Sequence, residues 1–222
     1  MTELEASYIR HSVRKYKDIP LTQDVVSKLQ TEIDKLNAGF GYNIQLVLEC
    51  DEGVFNTDSA YSRLKGVRNY LALVGPTRDT LDEELGYYGE KLVLIAQTLG
   101  LNTCWVVLTY DKTKTDFVLN DGESLVSLIA IGYGEHEGRQ HNNKDISEIS
   151  DLSDNDPAWY KSGVDCALNA PTALNQQKFY IKRDDNKVSI TTDGSTYTYI
   201  DLGIVKYHFE LGAGSENFTF VE

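Results

Sequence analysis

Apolar positions along the chain fall into short runs, and most runs close on a turn signal. Between Thr22 and Leu36, the residues Val25, Val26, Leu29, Ile33 and Leu36 recur at helical spacing. This stripe predicts an amphipathic helix with Thr22 as its N-cap and Asn37 and Gly39 at its end. Ile44–Leu48 and Tyr70–Val74 are β-branched or apolar runs bounded by turn residues, and they predict buried strands. Leu85–Leu99 is apolar nearly all round, which predicts a central, buried helix capped by Gly100. Cys104–Leu108 reads as extended, and Leu125–Ile131 as a further buried strand ending in Gly132-Tyr133-Gly134.

The pattern then changes. Glu135 to Asp156 is polar and acidic and predicts a long surface connection. Asp156-Pro157 predicts a helix start, with the aspartate as N-cap and proline in the first position, and Pro171 stops that helix. A hairpin follows (Phe179–Arg183 and Val188–Thr192), then a short strand around Tyr197–Tyr199, a helix from Asp201 to Leu211 ending at Gly212, and a strand over Phe218–Val221. Irregular alternation and hairpins predict an α+β layered fold, with a mixed, largely antiparallel sheet and buried central helices. By this pattern residues 1–138 form one half, 139–156 a polar connection and 157–222 a second half.

Composition narrows the function. The 222 residues carry a net charge of -13, and a global negative field repels nucleic acid and anionic membranes. No apolar run approaches the roughly 18 residues that cross a bilayer, and Met1-Thr2-Glu3-Leu4-Glu5 has no leader-like pattern. Three scattered cysteines fit a reducing cytoplasm better than a disulfide framework, and the four histidines show no metal-binding spacing.

Against this acidic background the cluster Arg10, Ser12, Arg14, Lys15 and Lys17 stands out. Arginine presents a planar fork that matches phosphate oxygens, and an extended segment would turn Arg10, Ser12 and Arg14 to one side. On spacing alone, the same cations also suit a basic arm that only solvates. A second segment, Asn169-Ala170-Pro171-Thr172-Ala173-Leu174-Asn175-Gln176-Gln177, sets small residues and amides between a helix and a strand. It suits close approach to a flat ligand, or equally a helix-stop loop whose amides satisfy local backbone. In a third segment, Leu99 to Leu108, Trp105 suits either a cofactor ring or a core position, and Cys104 reads as a small buried hydrophobe. The Gly-x-Gly fragments at Gly132 and Gly212 lack the rest of a dinucleotide fingerprint.

Together these segments resemble the nitroreductase family of FMN-dependent NAD(P)H oxidoreductases, and more closely its branch with two halves fused in one chain. Arg10-His11-Ser12-Val13-Arg14 is similar to the family's Arg-x-Ser-x-Arg phosphate motif. Ala170-Pro171-Thr172-Ala173-Leu174-Asn175-Gln176-Gln177 is similar to its Ala-Pro-Ser-x-x-Asn-x-Gln motif. Leu99-Gly100-Leu101-Asn102-Thr103-Cys104-Trp105 is similar to its Gly-Leu-Gly-x-x-Trp turn, and Ile131-Gly132-Tyr133-Gly134 to its Gly-Tyr-Pro strand end. The resemblance implies a nitroreductase-like fold of two intertwined halves. It assigns Arg10, Ser12 and Arg14 to the FMN phosphate and ribityl chain, with His11 beside them. Trp105, Val106 and Val107 fall at the isoalloxazine, with a backbone amide facing its reactive nitrogen. Pro171, Thr172 and Asn175 fall at the opposite edge. Arg139, with Lys144 as substitute, is the further cation.

Two departures stand out. The Ala-Pro-Thr segment follows the Gly-Tyr-Gly strand instead of the first helix, which implies that the second half supplies within one chain what a partner subunit gives elsewhere. Gly134 occupies a position where proline is usual. The implied reaction moves electrons from NAD(P)H to a nitroaromatic, quinone or similar small-molecule acceptor by ping-pong hydride transfer, with no side chain as acid or base. The implied protein is cytoplasmic, and either a monomer with an internal pseudo-dimer or a homodimer. Two alternatives use the same residues: a flavin store or sensor without turnover, and a flavin-free structural module.

Overall fold

The computed structural model describes residues 1–55 and 64–221. Two compact units interleave along the chain. Arg10–Leu81 and Leu92–Arg139 form a sheet unit, while Met1–Ile9, Asp82–Lys91 and Gln140–Glu222 form a hairpin unit. The linear division into residues 1–138, 139–156 and 157–222 therefore follows other boundaries, because a helix and a half-helix from the first part of the chain count with the second unit. The architecture is α+β, with both antiparallel and parallel pairings.

In the sheet unit, α2 (Gln23–Phe40) is followed by β1 (Gln45–Val47), β2 (Asn69–Pro76), the second half of α3 (Leu81–Thr98), β3 (Asn102–Val106) and β4 (Glu123–Gly132). The strands pair antiparallel in the order β1-β2-β4-β3, which leaves β3 at an edge. Period-two alternation sorts the strand residues between two cores. Tyr70, Ala72, Val74, Cys104, Val106, Leu128 and Ala130 pack with Val13 and Tyr16 on one face. Ile131 packs with Val25 and Leu29 of α2 and Ala96 of α3 on the other.

Of the predicted α2 stripe, Val25, Leu29, Ile33 and Leu36 are buried and Val26 is half-buried, and the Thr22 hydroxyl accepts from the Val25 amide. Its end differs. Gly39 is helical, and Gly41 closes the helix at φ 73°, where a left-handed backbone favours glycine.

The hairpin unit holds α1 (Glu3–Ile9), the first half of α3, α4 (Ile146–Ile149), α5 (Ala158–Ala167), β5 (Phe179–Asp184), β6 (Lys187–Thr192), α6 (Thr198–Ala213) and β7 (Thr219–Phe220). β5 and β6 are antiparallel, and β7 joins β6 in parallel. α1 is tied down by Tyr8 Oη donating to Asp165 (2.8 Å), by the Tyr207 hydroxyl donating to Glu3, and by a Ser7 Oγ–Cys166 Sγ contact of 3.3 Å. Glycines let helices approach closely. A Cβ on Gly203 of α6 would lie 1.9 Å from the Glu83 carbonyl oxygen of α3, and one on Gly212 would lie 2.3 Å from the Ser162 carbonyl of α5.

Four expectations are corrected here. Gly212 is a packing residue inside α6, which runs on to Ala213, with Gly214 at φ 77° closing it. Tyr197–Tyr199 is the entry to α6, with Tyr197 at φ 70° and Thr198 Oγ1 donating to the Ser195 carbonyl, and it is not a strand. The N-cap of α5 is Pro157, because the Asp156 carboxylate is engaged by the Ser153 amide (2.7 Å) and by Arg183 Nη2 (2.7 Å). The acidic connection contains α4 with a capping box between Asp145 and Glu148, and it buries Ile149.

Candidate functional site

In the sheet unit the basic arm is extended and laced to its surroundings. Val13 N–H donates to the Thr103 carbonyl of β3 (2.9 Å), and Ser12 bridges Thr103 in parallel. Farther along, Tyr16 N–H donates to Lys65 O (2.9 Å), Lys17 N–H to Tyr133 O (2.8 Å) and Glu135 N–H to Lys15 O (2.9 Å). Val13 and Tyr16 are buried anchors, and the Tyr16 hydroxyl donates back to the Val13 carbonyl (2.8 Å).

Between these anchors the cations differ in exposure. Arg10 is buried, His11 and Ser12 are half-buried, and Arg14 is exposed. Both arginines nevertheless act on one point: burial pushes the Cys104 thiol up, and the charges of Arg14 and Arg10 oppose that rise. Two arginines on an arm bonded along β3, with a hydroxyl between them in sequence, form a donor set suited to a phosphate dianion.

The turn after β4 leads to the third cation. A Cβ on Gly138 (φ 86°) would lie 2.5 Å from the His11 Cβ, so this position admits only glycine and brings the chain against the arm. Arg139, the next residue, is exposed. Asn102, which sequence reasoning passed over, holds the start of this turn. It is 4% exposed, its Oδ1 accepts from Gly134 N–H (2.9 Å) and its Nδ2 donates to Glu137 Oε2 (3.0 Å). A buried amide at a strand start was the one local signal available.

β3 carries the segment expected at a ring. Val106 pairs with Leu128, and its carbonyl accepts from Ser127 Oγ (3.2 Å), so its peptide is turned toward β4. Strand alternation places the Trp105 peptide on the edge that Thr103 presents to the arm. Val107 is the first residue past the strand, in a bend.

In the hairpin unit, Lys144 and Thr172 are joined by one buried residue, Gln177. Gln177 N–H donates to Thr172 Oγ1 (3.0 Å), and its Oε1 accepts from Lys144 N–H (2.7 Å). Lys144 Nζ donates to the Gln177 carbonyl (2.9 Å), so this ammonium supports the loop's backbone, whereas Arg139 belongs to the arm's own unit. Asn175 Nδ2 donates to the Asn142 carbonyl (2.7 Å). Leu174, Asn175 and Gln177 have φ values of 52°, 56° and 45°. Left-handed non-glycine residues cost about 1–3 kcal/mol each and persist where surrounding bonds hold them, often at ligand clamps.

A further residue, Asp201 in the first turn of α6, grips this loop: both carboxylate oxygens lie 3.0 Å from Ala173 N. Burial raises its pKa from 3.8 to about 7, against the lowering effect of the Ala173 amide. A raised folded-state pKa contributes stability that is present below about 3.8 and is lost as pH rises through about 7. Asp201→Asn keeps an acceptor for Ala173 and cannot ionise. It is expected to be more stable than the parent at pH 8, with the difference shrinking toward pH 4 in urea denaturation. A pH-independent difference would contradict the buried carboxylate's role.

Among the described residues no cluster of three or more histidine, cysteine or acidic side chains could hold a metal, and no helix is long and apolar enough to cross a membrane.

A family model described as "Putative TM nitroreductase" matches residues 3–213. Among solved structures the chain is similar to a "putative nitroreductase" of Thermotoga maritima, at 21% identity and a TM-score of 0.65 over 96% of this chain and 83% of that one. It is also similar to a "putative nitroreductase in complex with FMN" of Desulfovibrio desulfuricans, at 16% identity and a TM-score of 0.51 over 71% and 99% of the two chains. A third similar structure is a "Putative NADH dehydrogenase/NAD(P)H nitroreductase" of Bacteroides thetaiotaomicron, at 16% identity and a TM-score of 0.50 over 66% and 95%. A search of the curated proteins found no match. At these identities the structural likenesses establish a shared fold.

Proposed function

Because this chain belongs to the nitroreductase family described as "Putative TM nitroreductase", we propose that it binds one FMN and is an FMN-dependent oxidoreductase. In this assignment NAD(P)H is the electron donor, and a nitroaromatic, quinone or similar small acceptor follows it in ping-pong order. The observation that carries the proposal is the arm: between Arg10 and Arg14 its backbone is bonded to Thr103 of β3 through Ser12 and Val13, and Arg139 follows the Gly138 contact with His11.

The donor set fits the cofactor's anionic end. Arg10, Arg14 and Arg139 supply charge, and Ser12 supplies a hydroxyl donor, for the phosphate and ribityl chain. The β3 end, with Trp105, Val106 and Val107, is assigned to the isoalloxazine, and the Val107 amide to its reactive nitrogen. The family resemblance makes Pro171, Thr172 and Asn175 the ring-edge residues, and within the hairpin unit the bonds from Gln177, Lys144 and Asp201 hold that loop's backbone. Bound FMN supplies hydride acceptance and donation, and the protein supplies binding and orientation. No side chain is assigned a proton-transfer step.

Turnover tests the proposal. Protein reconstituted with FMN is expected to oxidise NADH or NADPH steadily when a nitroaromatic or quinone is present. Flavin uptake without such turnover would instead indicate a store or sensor.

A further inference from the structure

Two residues of this chain depart from the motifs they otherwise match. Asn102 stands at the second glycine of the Gly-Leu-Gly-x-x-Trp pattern, and Gly134 at the proline of Gly-Tyr-Pro. In the structure these two residues bond to each other, Gly134 N–H donating to Asn102 Oδ1 at 2.9 Å. We propose that Asn102 is a positioning residue, which fastens the turn of residues 134–139 to the start of β3 and replaces the stiffness that a proline would give. The proposal rests on the assignment of the arm and Arg139 to the FMN phosphate.

The geometry makes the two solutions mutually exclusive. A Cβ on Gly134 would lie 2.6 Å from Asn102 Oδ1, 2.8 Å from the His136 carbonyl oxygen and 2.9 Å from Val13 Cγ1. A proline ring therefore collides with the Asn102 amide, and proline also lacks the N–H which that amide accepts. The surrounding ladder does not use the Gly134 N–H, since its bonds run from Lys17 N–H to Tyr133 O and from Glu135 N–H to Lys15 O. Proline at this position thus costs the ladder nothing, and the Gly134 N–H is left for Asn102.

The second bond extends the clamp along the turn. Asn102 Nδ2 donates to Glu137 Oε2 at 3.0 Å, the residue before the glycine that presses on His11. Because the Asn102 amide is 4% exposed and its bond to Gly134 is buried, water competes weakly for that bond, whereas Glu137 itself is exposed. One side chain at the start of β3 thereby bonds the turn at two places, Gly134 and Glu137.

A double-mutant cycle tests this, comparing Asn102→Gly, Gly134→Pro and the double variant by FMN titration and by melting temperature. Each single change is expected to raise the FMN dissociation constant about tenfold, the scale of the buried Gly134–Asn102 bond that both remove, with the part-buried Glu137 bond also lost in Asn102→Gly. The double variant is expected to fall well short of the roughly hundredfold product of the singles, because both single changes remove the same Gly134–Asn102 bond and glycine at 102 relieves one of the three close contacts at the proline. Full additivity in FMN affinity overturns the proposal. Should the wild type itself take up no FMN, the flavin assignment falls and the positioning role falls with it. Melting temperatures then show separately whether residues 102 and 134 are coupled, and non-additive shifts would leave that pairing standing.

Discussion

Glu90→Gln is expected to destabilise the protein by about 3–5 kcal/mol near pH 6, because it breaks a buried ion pair from one side. His208 Nε2 lies 2.9 Å from Glu90 Oε1, and both residues are fully buried in the hairpin unit. The other ring nitrogen, Nδ1, is 3.2 Å from the Cys166 carbonyl and acts as donor to it. Burial alone would lower the histidine pKa. The hydrogen bonds to Cys166 and Glu90, together with the Glu90 charge, outweigh that and raise it from 6.5 to about 9. A raised folded-state pKa contributes stability that is fully present below about 6.5 and is lost as pH rises through about 9. The cost of Glu90→Gln should therefore be largest near pH 6 and shrink above pH 9. Urea denaturation at pH 6, 8 and 9.5 measures this, and equal stabilities at pH 6 would contradict it.

Arg14→Ala and Arg10→Ala are each expected to weaken FMN binding about ten- to a hundredfold, the scale of a lost charge-assisted hydrogen bond of roughly 1.5–3 kcal/mol. Lys17→Ala is expected to change it little, since the arm is already pinned at Lys17 by backbone bonding to Tyr133. Arg14 is exposed, so its loss reads out on binding directly. Arg10 is 3% exposed, so its variant needs a parallel measurement of stability. Flavin titration of the three variants at one ionic strength compares them, and equal affinities would remove the phosphate role from the arm.

Much of the fold was legible because local physics decided it. The α2 stripe, the doubly buried β2 and the β5–β6 hairpin each carry a period or turn signal that tertiary contacts reinforce. The errors share one cause. Gly39 and Gly212 read as stops, yet one is tolerated inside a helix and the other lets α6 approach α5, a distinction only the neighbouring helix makes. Tyr197–Tyr199 alternates like a strand, but α6 packing and the left-handed Tyr197 override that preference.

The site divides in the same way. The arm and the Pro171–Asn175 segment were visible because their chemistry lies in consecutive residues. Asn102, Asp201 and the Glu90–His208 pair were not, because each acts on a partner distant in sequence, and Gln177, though it closes the Ala170–Gln177 motif, showed nothing of its bonds to Lys144. Single polar residues in apolar surroundings announce a bond without naming its other end.

The central claim is that this chain holds FMN through the arm, and an FMN titration of the purified protein followed by its visible absorption spectrum tests it most directly. The account predicts uptake of one FMN per chain, retained through desalting by the wild type and largely lost by Arg14→Ala. A wild-type protein that stays colourless after incubation with excess FMN would contradict it.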